Sequence, residues 1–247
     1  MLTTVAVLSD IHGVLPALEA ALAEPDVAAA DRIVLTGDIA AGPQPVEVLD
    51  LLAGLGDRVV WVRGNADREL VGVRTGSPTP YPVTRWAAEQ LRRDHLDQLA
   101  NLPLSVTLPV TGLGKVLFCH ATPRDDAEFV VVDTRPERWA EALAEVPAEV
   151  RVVVCGHTHM PFTRYFDGRL IVNAGSVGMP YGAPGAHWVL LGPGVQHRRT
   201  GFDLDTACAD IAARSAFPDA AAWADEYVRA RNGDVEALAT FAPLDGR

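Results

Sequence analysis

Five apolar runs of strand length each end directly in a polar motif, and no other feature constrains the fold as much. The motifs are Asp10-Ile11-His12, Gly37-Asp38, Gly64-Asn65-Ala66-Asp67, Cys119-His120 and Gly156-His157-Thr158-His159. The last follows Val152-Val153-Val154-Cys155, which reads as a buried strand. Two imidazoles at i and i+2, just past a strand end, reach into one crevice where the backbone leaves strand geometry. Open α/β folds place their ligands in such loops, at the carboxyl ends of strands. Strand ends that deliver Asp, Asn and His side chains in series are hard to explain except as one metal site.

Between the motifs the pattern alternates. Thr4–Ser9 reads as a strand, and Leu15 to Ala23 as an amphipathic helix with Leu15, Leu18 and Leu22 on one face. Pro16 suits the first helical turn, where its missing N–H costs nothing. Arg32–Thr36 and Val59–Val62 are the next strands, with a helix near Pro45–Leu55 between them. This βαβ alternation predicts a mostly parallel sheet with helices outside. Residues 72–82, rich in Gly and Pro, read as an exposed loop and a candidate lid, followed by one charged helix from Thr84 to Ala100. Strands are expected near Leu104–Leu108 and Lys115–Phe118, with a helix near Pro136–Ala144 before the Val152 strand. Short strands follow at Phe162–Phe166, Leu170–Val172 and Trp188–Leu191, where Asp167-Gly168 is a hairpin signal. From Asp205 the chain is Ala-rich and helical with no obvious chemistry. The expected organisation is one domain over residues 1–247, with 205–247 a helical C-terminal extension.

At 247 residues, 49% apolar and 21% charged, the chain has the composition of a globular protein able to bury a substantial core. A formal charge of −11 disfavours duplex nucleic acid as a partner, since binding to a phosphate backbone needs a basic face. Bound divalent cations would offset that charge locally, which leaves an anionic small-molecule substrate open. No apolar stretch approaches the roughly 20 residues of a membrane-spanning helix, so no membrane partner is expected. Cys119, Cys155 and Cys208 make no disulfide framework, and an odd count suits a reducing, cytoplasmic setting. Cys119 and Cys155 read as strand-end packing more than as metal ligands. A cleavable leader is not expected, because its removal would take Asp10 with it.

Taken singly, the motif residues have plain alternatives. Asp10 reads as an N-cap, Asp38 as a turn aspartate, and Asn65 as a residue tolerant of left-handed backbone. Together they offer mixed oxygen and nitrogen donors, suited to Mn²⁺, Fe²⁺ or Zn²⁺ rather than Ca²⁺. His12, His120, His157 and His159 lie inside the motifs. His95 reads as part of a charged helix face, and His187 and His197 as surface or supporting groups.

Asp10-x-His12, Gly37-Asp38, Gly64-Asn65-x-Asp67, His120 and Gly156-His157-Thr158-His159 resemble the motifs of the calcineurin-like metallophosphoesterases, over about residues 4–180. The segments His120-Ala121-Thr122-Pro123-Arg124-Asp125 and Asn173-Ala174-Gly175-Ser176-Val177-Gly178 are similar to those of a small bacterial and archaeal phosphodiesterase subgroup. The resemblance implies an α/β fold, a four-layer α/β/β/α sandwich with two central mixed sheets, and two divalent metals at the strand ends. By motif position, Asp10, His12 and His159 would hold the first ion, Asn65, His120 and His157 the second, and Asp38 would bridge them. Asp10, His12, Asp38, Asn65 and His120 would form the catalytic set. The implied reaction is hydrolysis of a small or nucleotide-like phosphate ester by a hydroxide shared between cations about 3.5–4 Å apart. Such donors accept Mn, Fe, Zn, Ni or Mg, with Mn or Fe favoured. Substrate contacts are expected from Asn65, from Arg124 as a planar bidentate donor to phosphate, and from Ser176 between Gly175 and Gly178. Arg63 is a further candidate, or an ion-pair partner.

One position departs from the family pattern. Many members carry a His between the Asn and the acid of the third motif, where it stabilises charge and helps protonate the leaving group. Here that residue is Ala66. General-acid help is worth about 10²–10⁴-fold, so poor leaving groups are expected to react slowly unless another donor substitutes. The alternatives are a dinucleoside polyphosphate hydrolase, a protein phosphatase and, outside the enzymes, a scaffold of the same fold. The intact ligand set argues against the scaffold. Specificity is expected to reside in the 68–82 loop and in the segment after His120.

Overall fold

The structure is a computed structural model that describes residues 1–246. The first motif strands, β1 (Val5–Leu8), β2 (Arg32–Leu35) and β3 (Val59–Trp61), are parallel neighbours. On the other side of β1, β9 (Ala186–Leu191) and β10 (Val195–Thr200) add antiparallel strands, giving the order β10-β9-β1-β2-β3. A second sheet contains β4 (Ser105–Val110), β5 (Gly114–Cys119), β6 (Val150–Cys155), β7 (Phe162–Phe166) and β8 (Arg169–Asn173). Its order is β4-β5-β6-β8-β7; β5, β6 and β8 are parallel, and the edge pairs are antiparallel. The βαβ alternation alone points to a mostly parallel sheet, but the chain forms two mixed sheets, as the family resemblance implies. The hairpins at residues 111–113 and 167–168 and the strands after His159 supply the antiparallel edges. Asp167 and Gly168 both have left-handed φ, 47° and 70°, as a two-residue hairpin turn requires.

Period-two alternation explains the layers. Val5 and Val7 of β1 face the second sheet and pack with Phe118, Val152 and Val154. Ala6 and Leu8 point the other way, into a cluster shared with α1 (Leu15–Leu22), α2 (Pro25–Ala29) and α3 (Pro45–Ala53). Beyond the second sheet, α7 (Pro136–Ala142) lays Trp139 against Val153 and Ile171. The result is the α/β/β/α sandwich. Cys119 and Cys155 are buried in that outer core, in agreement with a packing role.

Three local expectations change. Helix α4 runs from Asn65 to Arg74 and takes in the start of the expected 72–82 loop. The single charged helix is two, α5 (Pro82–Gln90) and α6 (Arg93–Ala100), because Leu91 turns extended (ψ 134°) and buries its side chain. His95 is buried rather than on an exposed face, and its Nε2 lies 3.0 Å from Asp50 Oδ1. The C-terminal segment forms α8 (Leu204–Arg214), α9 (Ala220–Tyr227) and α10 (Asp234–Phe241). Ile211, Phe217, Trp223 and Val228 of this segment join the cluster that contains α1. No helix among the described residues is long and apolar enough to cross a membrane.

Candidate metal centre and its cavity

The loops after β1, β2, β3, β5 and β6 meet at one end of the sandwich and are tied together by backbone bonds. Asp10 N donates to Gly37 O, His12 N to Asp38 O, and Gly156 N to His120 O. Asp67 fastens a third strand end to these. Its carboxylate accepts from Asp38 N, Ile39 N and Gly64 N, each at 2.9 Å. Burial and then the neighbouring Asp38 charge push Asp67 up to about 7, against those three N–H bonds.

The turns themselves are unusual. Asp10, His12, Asp38, His157 and His159 have φ between 49° and 67°, and they are five of the seven non-glycine residues with positive φ among those described. Left-handed backbone at a residue with a Cβ is a cost that folds retain mainly at functional sites. Here His157 and His159, from one turn, each reach a different one of two adjacent donor groups.

Two groups of donor atoms result, Asp10 with His12 and His159, and Asp38 with His120 and His157. In the first, the Nε2 atoms of His12 and His159 are 3.1 Å apart, and Asp10 Oδ1 lies 3.2 Å from His159 Nε2. In the second, His157 Nδ1 lies 3.2 Å from His120 Nε2, and Asn65 Oδ1 is also 3.2 Å from His120 Nε2. Asp38 stands between them. Its Oδ2 is 3.6 Å from His12 Nε2 and its Oδ1 is 3.4 Å from His120 Nε2.

The donor set fits cations. The Nδ1–H groups of His12, His120 and His159 bond to the carbonyls of Ala41, Thr36 and Met179, which turns each Nε2 lone pair inward. Neutral His12 and His159 would then face lone pair to lone pair, an arrangement that a positive ion relieves. Asp10 Oδ2 is satisfied by Ser9 Oγ and His157 N, whereas buried Asp10 Oδ1 accepts no hydrogen bond. Electrostatics say the same. Burial opposes charge on Asp38, yet His120 and then His12 hold its carboxyl well below the usual range. Burial would lower His120, but Asp38 and then Asp10 raise it to about 10. Desolvation and the neighbouring His120 push His157 down to about 4. The carboxylates thus demand positive charge, which the protein alone meets by protonating histidines and a divalent cation at each group would meet instead.

The expected substrate contacts divide. Asn65 borders the cavity in front of the centre. The structure does not bring Arg124 there: its guanidinium grips Glu128 through Nε (3.1 Å) and Nη2 (2.5 Å), and it lines a separate surface hollow with Glu141 and Pro147. Ser176 is fully buried; its Oγ donates to Asp10 O and accepts from Met179 N, so it shapes the loop. Arg63 pairs with Asp126 at 2.9 Å, the ion-pair alternative. His187 is largely buried and bonded to Ala183 O, while His197 is exposed and meets Thr163 Oγ1.

The cavity holds about 270 Å³. Ala66 lines it, as do Glu69 and Tyr81 from the 68–82 region, Phe129 from the segment after His120, and Tyr181. Trp223, Tyr227 and Phe241 of the C-terminal helices line it too. The sequence reading names none of the three, because an Ala-rich helical stretch carries no motif that ties its aromatic residues to a distant site.

A family model described as the calcineurin-like phosphoesterase superfamily domain matches residues 3–192. An uncharacterized protein of Methanocaldococcus jannaschii is 28% identical over 181 residues, covering 70% of this chain and 69% of that protein. The symmetrical bis(5'-nucleosyl)-tetraphosphatase of Klebsiella pneumoniae is 36% identical over 126 residues, 49% of this chain. The chain spans only 44% of that relative's length. Among solved structures, a metallophosphoesterase from Sphaerobacter thermophilus superposes with a TM-score of 0.68 at 26% identity, over 85% of this chain and 94% of the other. With the sandwich, the converging strand ends and the family match in agreement, the chain belongs to the calcineurin-like phosphoesterase superfamily and is a phosphoric ester hydrolase.

Proposed function

We propose that this chain is a dinuclear metal-dependent phosphodiesterase acting on a small or nucleotide-like phosphate ester. The observation that carries the reading is Asp38, one oxygen of which faces each imidazole group, at 3.6 and 3.4 Å. Asp10, His12 and His159 would hold one ion, Asn65, His120 and His157 the other, and Asp38 both; manganese or iron suits this mixed set. When bound, the pair would polarise the phosphoryl oxygens and acidify an attacking water. The chain's own part is preorganisation. The Nδ1–H bonds to carbonyls keep three imidazoles oriented, and Asp67 holds the Asp38 turn through its amides. Position 66 offers no proton, so the leaving group departs largely on its own stability. The dinucleoside polyphosphate hydrolases are a second reading, favoured by the name of the Klebsiella relative. Residues 204–246 would belong to the same domain, since Ile211 and Phe217 share the core of α1. Three free cysteines fit a cytoplasmic setting.

The test compares Asp38→Ala with Asp10→Ala by metal content and by hydrolysis of methyl nitrophenyl phosphate and nitrophenyl phosphate. Asp38→Ala should lose both ions and Asp10→Ala chiefly one, and the unaltered chain should prefer the diester. Two tightly bound ions in Asp38→Ala would overturn the bridging role. Faster hydrolysis of the monoester would overturn the diesterase assignment.

A further inference from the structure

An unbroken chain of rings runs from one donor group to the other over the mouth of the centre. His12 contacts His159 (4.9 Å between centroids), His159 stacks on Tyr181 (5.7 Å), and Tyr181 meets Phe241 edge-on (5.8 Å). Phe241 stacks on Phe129 (5.2 Å), Phe129 lies 4.6 Å from His157, and His157 closes on His120 at 5.0 Å. Phe241, at the end of α10, is the keystone of this arch, and Trp223 and Tyr227, themselves in contact at 5.0 Å, complete the wall beside it. The chain has 16 Phe, Trp and Tyr residues in all, and six line this one cavity. Three of the six lie beyond residue 192, outside the stretch that the family model matches.

Charge and size narrow what the wall can receive. Among the described residues no Lys or Arg lines the cavity, and its carboxylates are Asp38 and Glu69. A site built for a chain of phosphates recruits Arg or Lys to bear the extra charges. At about 270 Å³ the cavity is just smaller than most small-molecule pockets, which run to roughly 300–1,000 Å³. That gives room for one planar ring system beside one phosphoryl group. Glu69, which accepts from Asn65 Nδ2 at 3.3 Å, adds an acceptor suited to a base edge that carries an amine.

Building on the phosphoesterase reading above, we infer that the aromatic arch seats a nucleobase and that the substrate is a nucleoside phosphodiester with a single negative charge rather than a polyphosphate. Stacking on aromatic rings is a general way for proteins to hold bases, because every base presents a π-face.

The test reads binding on the full-length chain, loaded with Mn²⁺ and again after chelation, by tryptophan fluorescence and calorimetry. The probes are adenosine 5'-(methyl phosphate), the base-free ribose 5-(methyl phosphate) and diadenosine tetraphosphate. The base should tighten binding by roughly tenfold or more, and that gain should fall to about threefold or less in Phe241→Ala. Phe241→Leu keeps apolar bulk and loses only the ring face, so it gives the same readout if the alanine variant folds poorly. Equal affinity for the two diesters, or a base effect intact in both variants, would overturn the base seat. Tighter binding of the tetraphosphate than of the diester would overturn the single-charge assignment. Hydrolysis of methyl nitrophenyl phosphate by the Mn²⁺-loaded chain reports separately on the phosphodiesterase reading. Its failure alongside a retained base effect would sink that reading and leave the base seat standing.

Discussion

Gly64 carries no side chain because Asp38 occupies the space where one would lie. A Cβ there would overlap Asp38 Oδ1 and the Asp38 amide, and would reach Asp38 Cγ at 3.0 Å. The backbone at Gly64 is extended, φ −98° and ψ 170°, which any residue adopts, so Gly64→Ala tests contact and not conformation. Without the overlap, Gly→Ala at a compatible site stabilises by about 0.4–1 kcal/mol through the unfolded chain. Overpacking a filled site costs about 1–3 kcal/mol, which reverses that gain. At about 2–4 °C per kcal/mol for a chain of this size, the metal-free melting point should fall by several degrees. The larger effect is on metal. Asp38 Oδ1 accepts from Ala66 N at 2.8 Å and faces His120, while Oδ2 faces His12. Displacing that carboxylate disturbs both donor groups at once, and loss of a ligand's supporting contacts typically costs about 10–100-fold in affinity. Gly201→Ala is the control, with nothing within 4 Å of its added Cβ and no left-handed φ. Metal content by mass spectrometry across a Mn²⁺ titration, with melting curves beside it, is the assay. If Gly64→Ala binds two ions as tightly as the unaltered chain and melts with Gly201→Ala, then Asp38 is not held by this contact and the argument fails.

Ala66 faces the cavity, so Ala66→His should speed hydrolysis of alkyl diesters selectively, by about tenfold if the ring is well placed; a plot of log rate against leaving-group pKa that is already shallow in the unaltered chain would refute it. Asp126 is held below its usual pKa by Arg68 and then Arg63, against the cost of burial. Its contribution to stability is therefore present above the unfolded carboxylate value of about 4 and lost as pH falls through the lower folded value, so the unaltered chain should approach Asp126→Asn in stability on acidification; melting curves that stay a constant distance apart through that window would contradict this. Arg124→Ala should leave kcat/KM for phosphate esters unchanged, since its guanidinium is bound to Glu128 away from the cavity, and a selective rise in KM would return it to the site.

Much of the centre was legible because its residues are local in sequence. Each motif sits within a few positions of a strand end, and strand ends in such a fold converge by topology alone. Asp10 and His12, or His157 and His159, could be paired on paper for that reason. The walls of the cavity could not. Phe241 and Phe129 stack although they lie 112 positions apart in the chain, and Ala-rich helices give no period that says which face meets a distant loop. Arg124 misled for a related reason. Residue type and proximity to His120 suggested phosphate, but Glu128, one helical turn's spacing away, captures the guanidinium first. Ser176 lay at the centre as expected, yet faces Asp10 O rather than the cavity. Sequence supplied the chemistry of each side chain, whereas direction came from contacts remote along the chain.

The left-handed turns show how such a centre can be kept at all. Five candidate ligand positions with positive φ, at on the order of 1 kcal/mol each, would sum to a large share of the 5–15 kcal/mol that holds a domain together. Two features reduce that burden. All five are Asp or His, which with Asn tolerate left-handed backbone better than other residues with a Cβ and are also the types that ligate hard or borderline metals. The turns are also locked from outside the centre. The β1–β2 pairing continues past the strands, through Thr36 N to Leu8 O, Asp10 N to Gly37 O, His12 N to Asp38 O and Gly13 N to Ile39 O. Asp67 then pins the Asp38 and Ile39 amides. Strain is thus imposed by a backbone ladder that does not depend on a cation. The donor atoms stand within reach of one another on this backbone alone, so little reorganisation would oppose the binding of a cation.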